Sequence, residues 1–295
     1  MSQFISVFDM FKIGVGPSSS HTLGPWRASQ EWISKLKKTQ VFLLTDNIKV
    51  DLYGSLSLTG KGHATDYAIL LGLSGADPEY VPIKDIDGII NSIKETNLLY
   101  LNNEKMISFS IDNINFNKEF LPLNPNGLTF TAFKDGEIIS KETYYSIGGG
   151  FIIQEEDSLV DEIEVTKQNL PYPINRAVEL DRYCIRQKLS ISEIVFQNEL
   201  VINTEEKINS ELHRIWTEML ECIYVGCHTK GILPGGLNVK RRAFDTHAKL
   251  IKSSTYTNPN EWITAIRSSE VKFREILKWV SCFALSVNEV NASLG

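Results

Sequence analysis

The segment NIKVDLYGSLSLTGKGHATDYAILLGL, residues 47–73, predicts a strand, a glycine-rich turn and a helix in succession. Apolar and polar side chains alternate over residues 47–53, which is the period of a half-buried strand. The turn that follows contains Lys61 and His63, and an apolar helix is predicted near residues 67–73. A cation and an imidazole in a glycine-rich turn before a helix suit an anion held close to a base.

Upstream, the segment GVGPSSSHT at residues 14–22 is a second turn that suits an anion. Glycine allows close approach of a ligand, Ser and Thr are favoured helix N-caps, and free N–H groups at a helix start attract carboxylate or phosphate. A helix is predicted directly afterwards, over Pro25–Lys37, with lysines near its C-terminus. A serine N-cap in an ordinary loop explains the same residues, so both interpretations stay open.

A third turn, YYSIGGGF at residues 144–151, has three glycines directly after the end of a predicted strand. It is either a flexible turn or a place where backbone amides approach a ligand.

None of the three turns matches a nucleotide-binding motif. The separation of Gly54 from Gly60 is one residue too long for a P-loop, and Ser19 stands where a dinucleotide fingerprint needs its third glycine.

The chain divides into two unlike parts. Residues 1–153 combine strands with a few helices, which predicts an α+β domain. An acidic, aperiodic stretch followed by two prolines predicts a linker over 154–174, and residues 175–295 have a helical pattern. The other predicted elements are strands at Lys105–Ile111, Leu128–Phe133 and Ile138–Tyr145, a hairpin turn at Lys134–Glu137, helices at Thr65–Leu73 and Asp87–Glu95, and a helix with an apolar stripe over Ile208–Ile223, begun by Thr204 and closed by Gly226.

Composition excludes several classes of partner. The 295 residues carry a formal net charge of −6, which disfavours nucleic acid and anionic membranes as main partners. No apolar run approaches the roughly 18 residues of a membrane span, and the N-terminus has no signal-peptide pattern. We therefore expect a cytoplasmic protein.

Long motifs follow one another in the order and spacing of one known family. Beside the three turns, they are SVFDMF at residues 6–11, LPYP at 170–173 and LPGGLNVKRRA at 233–243. With these motifs the chain resembles the bacterial iron-sulfur-dependent L-serine dehydratases over essentially its whole length.

The resemblance implies a fold and a reaction. Residues 1–153 are expected to resemble an allosteric serine-binding domain of some phosphoglycerate dehydrogenases, and residues 175–295 to form the first part of an all-helical domain. Family members hold a [4Fe-4S] cluster on three cysteines, and its open iron acts as a Lewis acid on the serine hydroxyl while a base removes the α-proton. The implied products are pyruvate and ammonia, and no pyridoxal phosphate is involved.

Candidate site residues come from the three turns. His21 and His63 are the candidates for proton transfer, because imidazole titrates near neutral pH. Asp66 either orients His63 or caps the following helix. The candidates for substrate binding are Ser18, Ser19, Ser20, Thr22, Lys61, Ser146, Gly148, Gly149 and Gly150. A further basic stretch either guards the site or is a solvated turn, and it contains Pro234, Gly235, Gly236, Lys240, Arg241 and Arg242.

The cysteines of the chain do not have cluster spacing, and we expect them to be structural thiols: Cys184, Cys222, Cys227 and Cys282. The family places its cluster ligands beyond the position of Gly295, so a truncated chain is expected. Two hypotheses remain open. The chain is a serine dehydratase that needs the missing helical segment, or it is an inactive serine-binding or structural module. Either a homodimer or association with a complementary helical segment is expected.

Overall fold

The computed structural model describes residues 5–158, 170–233, 238–252, 255–269 and 271–292. Its contacts divide the chain into two units, Met1–Lys12 with Val160–Leu220, and Ile13–Leu159 with Glu221–Gly295. The domain limits expected from the sequence, at 153 and 175, stay a prediction.

Strands and helices follow the sequence pattern closely in the first half of the chain. The strands are β1 Asn47–Leu52, β2 Leu98–Leu101, β3 Lys105–Ser108, β4 Ile114–Phe116, β5 Gly127–Lys134, β6 Glu137–Gly148 and β7 Phe151–Gln154. The helices are α1 Val7–Met10, α2 Gly24–Lys38, α3 Gly54–Thr59, α4 Thr65–Leu73, α5 Ile83–Thr96, α6 Glu155–Ser158, α7 Ala177–Gln187, α8 Ile191–Glu199, α9 Glu205–His228, α10 Ala243–Leu250, α11 Pro259–Ser268 and α12 Phe273–Asn291. A π-helical turn covers Ser19–Leu23, and short 3₁₀ helices cover Gly60–His63 and Ile111–Asn113.

A mixed sheet forms the framework of the larger unit. Five strands lie in the order β4-β1-β5-β6-β7, with β1 parallel to β4 and the other neighbours antiparallel. The β5–β6 hairpin turns at Asp135 and Gly136, both of which have positive φ, as a tight hairpin turn requires. β2 and β3 form a separate two-stranded sheet.

Helix α2 covers one face of this sheet because its apolar stripe is rich in aromatic residues. Trp32 is fully buried and stacks on Phe130 of β5 with the ring centroids 4.9 Å apart. Burying a side chain of this size stabilises the fold by about 2 kcal/mol or more. Helix α2 also lies against α4, where Gly72 has no room for a Cβ beside the Ser29 side chain, 2.7 Å away. The tight packing holds the start of α2 in a fixed position.

The smaller unit contains a buried carboxylate that fixes its N-terminal segment. Glu199, at the end of α8, accepts hydrogen bonds from the Ser6 hydroxyl at 2.9 Å and from the Val7 N–H at 2.7 Å. In the same unit the Asn198 side chain is bonded in both directions to the backbone of Tyr172. These bonds satisfy polar groups that would otherwise be buried without partners.

The fold class is confirmed, because an α+β region with a mixed sheet precedes a helical region. Several details of the secondary structure predicted from the sequence were wrong. Residues 54–63 are helical rather than an open turn, α5 begins at Ile83 instead of Asp87, and α9 continues through Gly226 to His228. The short strands β2, β4 and β7 were not predicted. No helix in the described ranges is both long and apolar enough to cross a bilayer.

Candidate functional site

The GPSSSHT segment forms the π-helical turn that leads directly into α2. Ser18 acts as the N-cap, because its Oγ accepts the N–H of His21 at 3.2 Å. The Ser18 N–H in turn lies 3.3 Å from the Oγ1 of Thr22. The serine N-cap is therefore confirmed, and the helical segment begins at Ser19, earlier than the predicted Pro25.

Two residues with positive φ shape the glycine-rich segment between β1 and α4. Gly54, two residues after the end of β1, has φ +52°, and a Cβ there would overlap the carbonyl oxygen of Pro125. Ala64, also left-handed at φ +52°, separates the 3₁₀ helix from α4. Both residues sit where L side chains are unfavourable, so the packing around them must impose this path. As a result His63 lies beside the π-helical turn.

Two threonines tie the segments together reciprocally. The Oγ1 of Thr22 donates to the His63 carbonyl at 2.9 Å, and the Oγ1 of Thr65 donates to the His21 carbonyl at 2.6 Å. The two imidazole rings lie 4.9 Å apart, centroid to centroid, and are tilted by 39°. The structure thus brings together the two histidines that the sequence singled out.

The hydrogen bonds of the two imidazoles differ. His21 has both ring nitrogens occupied, Nδ1 by the Ser20 hydroxyl and Nε2 by the Ser55 hydroxyl, each at 2.9 Å. His63 Nδ1 lies 2.9 Å from the Thr59 carbonyl. Because a carbonyl oxygen only accepts, Nδ1 of His63 carries its proton, and a neutral His63 has its lone pair on Nε2. Among the described residues that Nε2 makes no hydrogen bond.

The charge state of His21 follows from its surroundings. Burial, followed by the neighbouring imidazole of His63, lowers the pKa of His21 below its ordinary value of 6.5, and a hydrogen bond from the imidazole to the backbone of Ser55 partly opposes this. His21 is therefore neutral at physiological pH.

The segment with three glycines, residues 144–151, lies against the π-helical turn and the start of α2. Ser146 is fully buried against Gly24, where a Cβ would overlap the serine Oγ, and this Oγ has no hydrogen-bond partner among the described residues. Gly148, Gly149 and Gly150 all have positive φ, and the Gly150 carbonyl accepts from the Arg27 guanidinium at 3.5 Å. Glycine is required at 150 also because a Cβ would lie 2.7 Å from the Leu23 side chain.

The remaining candidates are placed less centrally. Ser19 is exposed, whereas Thr22 is 1% exposed and engaged with the backbone. Lys61 is exposed, with its Nζ 5.2 Å from the centre of the Phe116 ring. Asp66 accepts the N–H of Tyr67 at 3.0 Å in the first turn of α4. This geometry favours the capping interpretation of Asp66.

The basic stretch is partly structural. Arg241 is 9% exposed and donates to the backbone carbonyl of Glu289 at 3.2 Å, so it is not a solvated side chain. The carboxylate of Glu289 accepts the N–H groups of Arg242 and Ala243 at the start of α10. Lys240 is exposed and pairs with Asp245 at 3.1 Å. The predicted residues 234–236 lie outside the described residues.

The described cysteines do not fit an iron-sulfur cluster. A [4Fe-4S] cluster with one open iron needs three thiolates on its other irons. Within the ranges that the structure describes, no three Cys, His, Asp or Glu side chains converge as metal ligands. Cys184 and Cys222 are partly exposed, while Cys227 and Cys282 are buried next to each other.

Sequence reasoning missed three residues that build the site. Ser55 bonds the imidazole of His21, Thr65 bonds the backbone of the same residue, and Thr59 fixes the ring of His63. A helical spacing of 55, 59 and 63 was present in the sequence and would have placed these side chains on one face. The glycines around them obscured that signal.

Comparison with known proteins gives a consistent result along the chain. The family model for the serine dehydratase beta chain matches residues 6–157, and that for the serine dehydratase alpha chain matches residues 186–295. The chain is 41% identical to an L-serine dehydratase of Haemophilus influenzae over 294 residues, which is 99% of the chain and 61% of that protein. It is 40% identical to L-serine dehydratase 1 of Escherichia coli, with the same two shares, and 34% identical to an L-serine dehydratase of Helicobacter pylori over 98% of the chain and 61% of that protein. The chain therefore spans about three fifths of the length of these relatives.

Proposed function

Because the chain belongs to the L-serine dehydratase family, we propose that it acts in the removal of water from L-serine, which yields pyruvate and ammonia. Loss of the α-proton and the β-hydroxyl of serine gives aminoacrylate and one water molecule. Addition of water to the imine form of aminoacrylate then releases pyruvate and ammonia.

The base in this proposal is His63. Its Nδ1 donates to the Thr59 carbonyl, which leaves the Nε2 lone pair available for the α-proton of serine. Both nitrogens of His21 are bonded to serine hydroxyls, so His21 is less suited to accept a proton. The unused Nε2 of His63 is the observation that carries the proposal.

His21 acts as a neutral neighbour. Two imidazolium ions with centroids 4.9 Å apart would repel each other, and burial already disfavours charge on His21. A neutral His21 therefore allows His63 to take up a proton beside it. Ser20 and Ser55 hold the ring of His21 in this arrangement, and Thr22 and Thr65 hold the backbone of both histidines.

The substrate carboxylate is assigned to the exposed part of the same region. Ser19 and Ser20 provide hydroxyls at the start of the helical segment, where free N–H groups favour an anion. Gly148–Gly150 provide backbone amides in conformations that leave no side chain in the way. Lys61, two residues before His63 in the chain, adds positive charge. Ser146 is buried, and its orphan hydroxyl would gain a partner if the glycine turn moved on binding.

The proposal includes a [4Fe-4S] cofactor, as the family resemblance implies. The described residues do not supply its ligands, so the roles assigned to this chain are substrate binding and proton transfer. We further propose a cytoplasmic setting, which the free thiols of all four cysteines support. A homodimer or a complementary helical segment remains the proposed partner.

Steady-state kinetics of His63→Ala test this proposal. The purified chain is combined with a complementary helical segment that carries the cluster cysteines and is reconstituted anaerobically with iron and sulfide, and pyruvate formation from L-serine is followed by coupling to lactate dehydrogenase. We expect His63→Ala to lower kcat by about 10²- to 10⁴-fold, because a positioned base contributes that much, with a smaller change in KM. Thermal melts should show that the variant is folded.

The matched control is His213→Ala, which changes an exposed histidine outside the three segments. We expect its kcat to equal that of the unsubstituted chain. Pyruvate formation that survives His63→Ala, or that is lost equally in both variants, would contradict the assignment of the base. A completed and reconstituted enzyme that binds L-serine without forming pyruvate would contradict the proposed activity.

A further inference from the structure

Helices α9 and α12 approach each other unusually closely near the C-terminal end of α9. A Cβ on Gly226 would lie 2.8 Å from the Cα of Ser286 and 2.6 Å from its carbonyl oxygen. The hydroxyl of Ser286 donates to the carbonyl of Ile223 at 2.6 Å. The two backbones are therefore almost in contact at this crossing, since only a glycine on one side and a small residue on the other permit it.

Two cysteines flank the crossing. Cys227 follows Gly226 on α9, and Cys282 lies one turn before Ser286 on α12. Their Sγ atoms are 3.7 Å apart, and both side chains are fully buried. A disulfide needs Cα atoms about 4.4–6.8 Å apart and sulfurs at about 2.05 Å. Because the backbones already approach this closely, joining the sulfurs requires them to move together by only about 1.7 Å.

The other two cysteines differ from this pair in burial. Cys222 and Cys184 are partly exposed, and they lie in helices α9 and α7. Cys282 has a second contact, with the carbonyl of Ala243 at 3.6 Å, which holds its sulfur at the crossing. The fold therefore distinguishes one pair among the four thiols.

We propose that Cys227 and Cys282 are an oxidation site, at which a small hydroperoxide converts the two thiols to an intramolecular disulfide. One thiolate attacks the peroxide, the O–O bond breaks, and a sulfenic acid forms with release of the first water or alcohol. The second thiol then attacks the sulfenic sulfur and expels water. The two sulfurs lose two electrons and two protons in total, and the peroxide is reduced.

The contact between the two sulfurs shifts their pKa values in opposite directions. It raises the pKa of the Cys227 thiol, with burial adding to this effect, and it lowers the pKa of the Cys282 thiol. Hydrogen peroxide suits the site because it is about as small as water, whereas a bulky disulfide oxidant has no access to fully buried sulfurs.

Peptide mapping of the full folded chain tests the proposal. The reduced chain is treated with hydrogen peroxide, the remaining thiols are alkylated, and the chain is digested with trypsin and chymotrypsin. Cleavage after Tyr224 separates Cys222 from Cys227, so each thiol is located individually. We expect a peptide pair joined through Cys227 and Cys282, with half of the four thiols alkylated and the link removed by dithiothreitol.

Two variants and one unfolded control decide the outcome. Cys222→Ala should retain the link, Cys227→Ala should lose it, and the chain oxidised in urea should give no preference for this pair. The map of the unsubstituted chain decides the result even if Cys227→Ala does not fold. The proposal is overturned if the folded chain links Cys222 or Cys184 instead, or if Cys227 and Cys282 both remain alkylatable after unfolding while an exposed thiol has been oxidised.

Discussion

Acid should destabilise the larger unit through His247, which lies in a buried aromatic cluster. Its side chain is 3% exposed, its Nε2 accepts the indole N–H of Trp262 at 2.9 Å, and its ring lies 4.8 Å from that of His228. Burial, followed by the proximity of His228, lowers the pKa of His247 from 6.5 to about 4. The neighbouring His228 is bonded to the Tyr224 carbonyl and the Tyr256 hydroxyl.

The direction and size of the effect follow from this pKa. The folded state binds the proton of His247 more weakly than the unfolded state does, so the stabilisation is complete above pH 6.5 and is lost as the pH falls towards 4. At 1.36 kcal/mol per pH unit the full loss is about 3 kcal/mol, of which about 2 kcal/mol is lost between pH 7 and pH 5.

Urea unfolding at pH 7, 6 and 5, followed by tryptophan fluorescence, measures this loss. His247→Gln is the matched comparison, because its amide oxygen can accept the Trp262 N–H but does not titrate in this range. We expect the free energy of unfolding to fall by about 2 kcal/mol more in the unsubstituted chain than in His247→Gln between pH 7 and pH 5. Equal pH dependence of the two proteins would refute the reasoning, because other titrating groups are common to both.

Two further substitutions probe packing. Gly24→Ala should lower the free energy of unfolding, measured by thermal melts, by about 1–3 kcal/mol, because the new Cβ overlaps Ser146. Gly62→Ala has no atom near the new Cβ, so it should change the free energy of unfolding by less than about 0.5 kcal/mol. Equal effects of the two would contradict the packing argument. Glu199→Gln should lower the free energy of unfolding by about 1–3 kcal/mol, because the amide has one acceptor oxygen where the carboxylate has two, for the Ser6 hydroxyl and the Val7 N–H. Limited proteolysis should then release the N-terminal segment faster, and an unchanged cleavage rate would count against this role.

Much of the fold was accessible from local sequence pattern. The alternation over 47–53 and the hairpin at 134–137 specify β1 and the β5–β6 pair, because side-chain period and turn chemistry act locally. The helices α2 and α4 were also predicted nearly to the residue. Short edge strands such as β4 were missed, since three residues carry too little periodic signal and are fixed by pairing with a distant strand.

In the candidate site, too, features set by neighbouring residues were predictable from the sequence, whereas features set by contacts between distant residues were not. His21 and His63 were identified from their glycine-rich surroundings, but their roles could not be separated. The difference lies in bonds to Ser55, Thr59 and Ser20, of which the Ser55 bond spans 34 residues of sequence. Glycine content also misled the interpretation of residues 54–63, where tertiary packing outweighs the low helix propensity of glycine. The contact between Cys227 and Cys282 spans 55 residues and could not be read from spacing alone.

The reciprocal threonine bonds have a consequence for how the chain folds. The Thr22 and Thr65 bonds close loops of 41 and 44 residues, and the entropy of closing them must be offset before either bond can form. The sheet and helix α2 supply that order, so we expect the histidine pair to assemble late, after the transition state for folding of the larger unit. The same dependence makes the pair vulnerable to local opening, because loosening either loop releases both imidazoles at once.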